Sequence, residues 1–238
     1  MRTFYFILLL LPFFSYGKEP AFIQSYLFDT HERDSLEMFV KKVEAFSAKE
    51  DFALTNFYYH IYVVATNLLA RSSLGEEEFS GLCTALNLLG YDESNAFTNL
   101  TVKVARENDD LEVRTSALRG YYLSGSPSTS LASFMLKDPA FDDGLERLVV
   151  YESLVAGLEM QKGLKKNPSY ATRLAYLEAK FKVESDYNVI IFLDRFLSKS
   201  VSGFIKSKPR RQVLERFSKH EHPNVARFFE SLLASFPK

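Results

Sequence analysis

The chain is short of the residues that would commit it to most known chemistries. It has one cysteine and no tryptophan in 238 residues. A secreted domain stapled by disulfides needs cysteines in pairs, so a lone Cys83 excludes that scaffold and leaves packing to hold the fold. Cys83 lies among Leu82, Leu86 and Leu89, and on such an apolar helical face a free cysteine reads as a small core hydrophobe. With 10 glycines, the chain has no Gly-rich phosphate loop, and G-x-S-x-G, HExxH and EF-hand patterns are also missing. There are 4 histidines. His220 and His222 form a His-Glu-His turn, but no cysteine or further histidine nearby completes a usual zinc set, so the pair reads as a solvated turn in which His222 caps the next helix. His60 sits among Tyr58, Tyr59 and Tyr62 with no carboxylate or nucleophile one helical turn away, which makes it a core histidine. No catalytic residue, metal ligand or cofactor is expected.

Long apolar runs are equally scarce, with one exception at the start. Met1–Gly17 has one arginine, an apolar run from Phe4 to Phe14, and Ser15-Tyr16-Gly17. A membrane-spanning helix needs about 20 apolar residues, more than this run supplies, and Pro12 interrupts it. Small residues at Ser15 and Gly17 match what signal peptidase accepts, so cleavage after Gly17 and an exported chain from Lys18 onward are expected. No cysteine near that point is available for lipid attachment. The expected compartment is periplasmic or extracellular, with no transmembrane helix in the mature chain.

What is present is apolar and aromatic: 47% of residues are hydrophobic, with 22 phenylalanines and 13 tyrosines, enough to build a core and to exclude disorder. Charge is present in near balance but segregated. Residues 18–161 hold 12 Lys+Arg against 23 Asp+Glu, a net of −11, whereas residues 162–238 hold 16 against 7, a net of +9. Such a dipole along the sequence can offer two partners two different surfaces.

Period-two alternation is missing, and helical punctuation recurs. Asp34 with Glu37 resembles a capping box ahead of Leu36, Phe39, Val40, Val43 and Phe46 on one face. Asp51 opens a segment to Arg71 whose centre is apolar nearly all round, which predicts cover on several sides. Gly75 and Gly90 bracket the next helix, and further helices are expected at 93–107, 110–124, 130–137, 142–163, 168–183, 186–198, 208–219 and 222–236. Pro168, Pro209 and Pro223 each stand where a first helical residue belongs. Short connections imply antiparallel neighbours and an all-α fold of stacked helical hairpins.

One unit recurs within the second half. Asp109-Asp110-Leu111-Glu112-Val113-Arg114 is followed 33 residues on by Asp142-Asp143-Gly144-Leu145-Glu146-Arg147. Asp186-Tyr187-Asn188-Val189 keeps the acid and the valine but has Ile190 in the arginine's place, and His222-Pro223-Asn224-Val225-Ala226-Arg227 shifts the arginine by one. An Asp ahead of a helix caps its free N–H groups, and Val113 with Ala117 makes a narrow stripe that admits a close neighbour. On these residues the chain resembles the HEAT-repeat family over about half of the mature length. The resemblance implies an α-solenoid with 91–238 as the repeat region, while 18–90 show no recognisable unit and stand as either a divergent N-terminal cap or a different helical element. It also implies that Asp110 and Arg114 act as glue between neighbouring units.

Two basic clusters, Lys162, Lys165 and Lys166, and then Lys206, Lys208, Arg210 and Arg211, are the candidate binding residues. They suit an acidic protein face, or an anionic surface such as phospholipid headgroups or acidic glycan. Nucleic acid is not an expected partner outside the cytoplasm. The expected function is that of an exported scaffold or adaptor, ahead of two alternatives. One is an exported helical enzyme with scattered active residues, and the other a structural subunit that docks through its aromatic segment 57–64.

Overall fold

A computed structural model describes residues 21–28, 35–49, 53–92, 94–125, 128–160 and 168–236. Met1–Gly17 and the Lys162, Lys165 and Lys166 cluster lie outside these residues, as do Asp34 and Asp51. The described residues are all-helical, with no strand among them. In chain order the helices are α1 (Ala21–Phe28), α2 (Leu36–Ser47), α3 (Leu54–Leu69), α4 (Glu76–Leu88), α5 (Thr98–Glu107) and α6 (Leu111–Leu123). They continue with α7 (Ser130–Met135), α8 (Gly144–Met160), α9 (Pro168–Val183), α10 (Tyr187–Ser200), α11 (Lys208–Phe217) and α12 (Pro223–Ala234). Short 3-10 turns cover Leu89–Tyr91, Pro139–Phe141 and Phe204–Lys206.

The helix starts follow from local side-chain chemistry. Ser35 caps α2 by accepting from the Met38 N–H at 3.3 Å. Glu78 reaches back to the Gly75 N–H at 3.1 Å and so holds the first turn of α4. Asp110 accepts from Glu112 and Val113 N–H at 2.9 and 3.0 Å, Asp143 from Leu145 N–H at 2.7 Å, and Asp186 from Asn188 and Val189 N–H at 2.8 and 3.1 Å. Three of the repeat acids are thus helix caps. The fourth unit departs from the expectation. His222 occupies the N-cap position of α12 without a side-chain bond, and its N–H instead donates to Nδ1 of His220 at 3.0 Å. The short α1 was not among the expected helices.

Packing places α4, α6, α8 and α10 against one another in succession, with α3 on α4, α5 on α6 and α12 on α11. α4 and α6 run parallel: Cys83 lies by Ser116, and Leu86 by Gly120. α6 and α8 do the same, since Arg114 lies over Phe141 and Tyr122 lies by Gly157. Glycines set these crossings. A Cβ on Gly120 would stand 2.2 Å from the Leu86 carbonyl oxygen, and one on Gly157 would stand 2.3 Å from that of Tyr122. No larger residue fits without parting the helices. Phe39, Phe57, Phe141, Phe181 and Phe229 are buried in one core cluster that extends from α1 to α12. Cys83 belongs to it, and burial pushes its thiol up to about 11.

Because α4, α6 and α8 run parallel, and α8 and α10 begin side by side at Gly144 and Asp186, their N-termini share one edge. Acids gather there for a physical reason, as the positive end of a helix dipole favours negative charge.

Candidate functional site

The basic run 206–211 divides into two roles. Arg210 turns inward: it is 7% exposed and forks onto Asp194 of α10, with Nε to Oδ1 at 2.7 Å and Nη2 to Oδ2 at 3.0 Å. Its Nη1 also donates to the Ile205 carbonyl at 3.1 Å. Each of the three guanidinium nitrogens is engaged in the interior, so Arg210 is a brace and not a ligand-facing cation. This corrects its place among the binding residues. Asp194 needs the brace because it lies on the buried face of α10 with Ile190 and Leu197.

Lys206, Lys208 and Arg211 remain outside. They line a cleft of about 550 Å³ together with Gln212, Glu215 and Phe236. Ser207 caps α11 by accepting from the Arg210 N–H at 3.3 Å, and Pro209 stands in the first turn. Arg211 pairs with Glu215 at 2.9 Å in solvent, and both Arg210 and Arg211 lie within 6 Å of the Phe236 ring centroid, at 5.8 and 5.9 Å. A second cleft of about 490 Å³ opens on the other side of Gln212, lined by Lys182, Pro209, Val213 and Arg216. Arg216 donates to the backbone carbonyls of Lys182 and Glu184, which ties the end of α11 to the end of α9. The exposed face of α11 therefore carries Lys208, Arg211, Gln212 and Arg216 between two cationic hollows, with Glu215 as its acid. Lys182, Gln212 and Phe236 were not among the expected site residues. Lys182 gave a signal as a cation in the last turn of α9, whereas Phe236 gave none.

Two of the candidate repeat residues, Arg114 and Arg147, serve as joints. Arg114 is buried, donates through Nε to the Ala105 carbonyl at 3.0 Å and through Nη2 to Asp138 at 2.6 Å, and lies 5.1 Å from the Phe141 centroid. Its partner is Asp138, ahead of α8, while Asp110 does nothing for it beyond capping its helix. Asp138 also accepts from Ala140 N–H at 3.0 Å, and that bond together with Arg114 holds its carboxyl below the usual range. Arg147 donates to Glu184 at 3.1 Å and to the Asp142 carbonyl. Glu184, buried, also accepts from Ser185 and Asp186 N–H at 2.9 and 3.0 Å and from the Tyr151 hydroxyl at 3.2 Å. Val113 and Val189 are buried and Val225 is half-buried, but Arg227 is exposed and makes no ion pair among the described residues.

No cluster of three or more metal-ligating side chains occurs among the described residues, and no helix there is long and apolar enough to cross a membrane. Comparison with known proteins finds no matching family model, no matching curated protein and no matching solved structure.

Proposed function

We propose that the chain is an exported, HEAT-like helical-repeat scaffold that holds an acidic protein partner on the face of α11. The carrying observation is the pair of cationic clefts flanking Gln212, with Lys206, Lys208 and Arg211 exposed around a rigid anchor, Arg210 on Asp194. Scaffold action asks for such a surface: fixed backbone, charge of one dominant sign, and an aromatic floor at Phe236. The solenoid reading is supported by the successive packing of α4, α6, α8 and α10, by capping acids at three of their starts and by arginine joints between neighbours. Export is supported by the composition of Met1–Gly17.

The test is crosslinked capture from the protein's own compartment with two baits, the native chain and a Lys206→Glu/Lys208→Glu/Arg211→Glu variant. Arg210 stays intact, because changing it would damage the fold. The captured protein, purified, is then titrated against both. A fall in affinity of about tenfold or more in the variant supports the reading, as several rim charges act together on association. Equal affinity for both baits refutes α11 as the contact. Binding of the native chain to anionic vesicles with no protein captured would also refute a protein partner.

A further inference from the structure

The cationic face of α11 has an oppositely charged counterpart on the same molecule. Along the edge shared by the starts of α4, α6 and α8, Glu76, Glu77, Asp109, Glu112 and Asp142 are exposed and make no ion pair among the described residues. Their own helix ends favour them, and the nearby Arg71 and Arg147 are committed to Glu78 and Glu184 instead. The two faces also carry apolar surface that a contact can bury. Leu145 in the first turn of α8 is 63% exposed and Val183, at the end of α9, is 72% exposed, while Ile205 beside the cationic cleft is 46% exposed. The formal net charge of the whole chain is −1, so copies meet without overall repulsion while their poles attract.

We infer that the occupant of the α11 face is a second copy of this chain, docked through its acidic helix-start edge. The inference rests on the reading of α11 as a docking surface and names the partner. Because the two patches differ, the contact is head-to-tail: each copy keeps one free acidic edge and one free cationic face. Such a contact propagates into a chain of copies unless its rotation closes a ring. Two copies of the α11 face repel each other, which disfavours a symmetric dimer through it.

Sedimentation of the purified protein over a concentration series tests this at about 0.05 M and about 0.5 M NaCl, salts that lengthen or collapse the range of charge attraction. The expected result is a weight-average mass that climbs more than about twofold above the monomer at low salt and returns to it at high salt. The Lys206→Glu/Lys208→Glu/Arg211→Glu variant should stay monomeric, and so should Asp109→Lys/Glu112→Lys/Asp142→Lys. An equimolar mixture of the two should associate again. Reversal of Lys41, Lys42 and Lys49, exposed on or beside α2, produces the same net charge as the first variant and should leave association intact. A native chain that is monomeric throughout overturns the inference, as does association that ignores either variant. Monomeric behaviour combined with salt-sensitive capture of a different acidic protein would leave the α11 docking surface standing. Insensitivity of both readouts to the α11 variant would bring that surface down too.

Discussion

The stretch from α6 to α8 and the stretch from α11 to α12 contain related helix-start patterns and use their arginines in opposite ways. In the first, Arg114 and Arg147 stand four residues after a capping aspartate, and each reaches a carboxylate contributed by a later segment. In the second, Arg227 follows His222 by five residues and points to solvent, while the buried arginine is Arg210, which turns back to Asp194 on the preceding helix. What makes an arginine structural is thus the acceptor that the fold delivers to it, a carboxylate for Arg114, Arg147 and Arg210 and backbone carbonyls for Arg216, and the local pattern is insufficient. The same difference leaves Arg227 of the C-terminal region facing outward while Arg114 and Arg147 of the middle region are taken up by carboxylates of the fold.

The largest expected effect tests the brace. Arg210→Met leaves Asp194 buried without its partner, and loss of one member of such a pair costs about 3–5 kcal/mol. Against a total stability of about 5–15 kcal/mol, that is enough to lower the chemical-denaturation midpoint markedly. Replacing Asp194 by Leu in the same background should recover most of the loss, because no bare charge then remains. A recovery of nothing would show that the guanidinium contact to Ile205 and Phe236 matters more than the ion pair.

Arg114→Met sharpens the comparison from the other side. It removes bonds to the Ala105 carbonyl and to Asp138, but the Asp138 side chain is 28% exposed and can take water in exchange. The expected cost is about 2 kcal/mol, clearly below that of Arg210→Met. Equal losses at the two sites would erase the distinction between a joint at the rim and a brace in the core.

Asp138→Ala is expected to cost as much as Arg114→Met, roughly 2 kcal/mol at neutral pH, because it removes the cap and leaves the buried Arg114 with the Ala105 carbonyl as its acceptor. This one carries a pH signature. The Asp138 carboxyl is held below its ordinary value by the Ala140 N–H and by Arg114, so its stabilisation is full above the unfolded-state pKa of about 4 and fades as pH falls through the folded value. The difference in Tm between the native chain and the variant should therefore narrow below about pH 4. A difference that persists unchanged in acid would mean that the charge of Asp138 contributes nothing.

Much of this comparison was legible in the residues and some of it was not. Proline at 168, 209 and 223, glycine at 75 and aspartate at 110, 143 and 186 mark helix starts through constraints that act within a single turn. The pairing of Arg114 with a carboxylate 24 residues away, or of Arg147 with one 37 residues away, depends on how helices stack, which no local window contains. Arg210 was concealed by its neighbours, because a basic run looks uniformly solvated. The clue lay on α10 instead: Asp194 shares a face with Ile190 and Leu197, and a buried acid requires a cation. Gly120 and Gly157 read as ordinary helix-weakening glycines until the carbonyls of Leu86 and Tyr122 are seen against them.

The smallest expected effect is at Arg227, and its smallness is the informative part. Its residue type and near-register match the repeat pattern, so a reading from pattern alone assigns it the cost of Arg114. The structure instead leaves it exposed, with no carboxylate brought to it among the described residues, and an exposed charge without a partner has little to lose. Arg227→Ala should change stability by no more than about 0.5 kcal/mol in urea denaturation, within the range of ordinary surface substitutions. A loss near that of Arg114→Met would require a partner for Arg227, and a loss that deepens with protein concentration would place that partner on another copy of the chain.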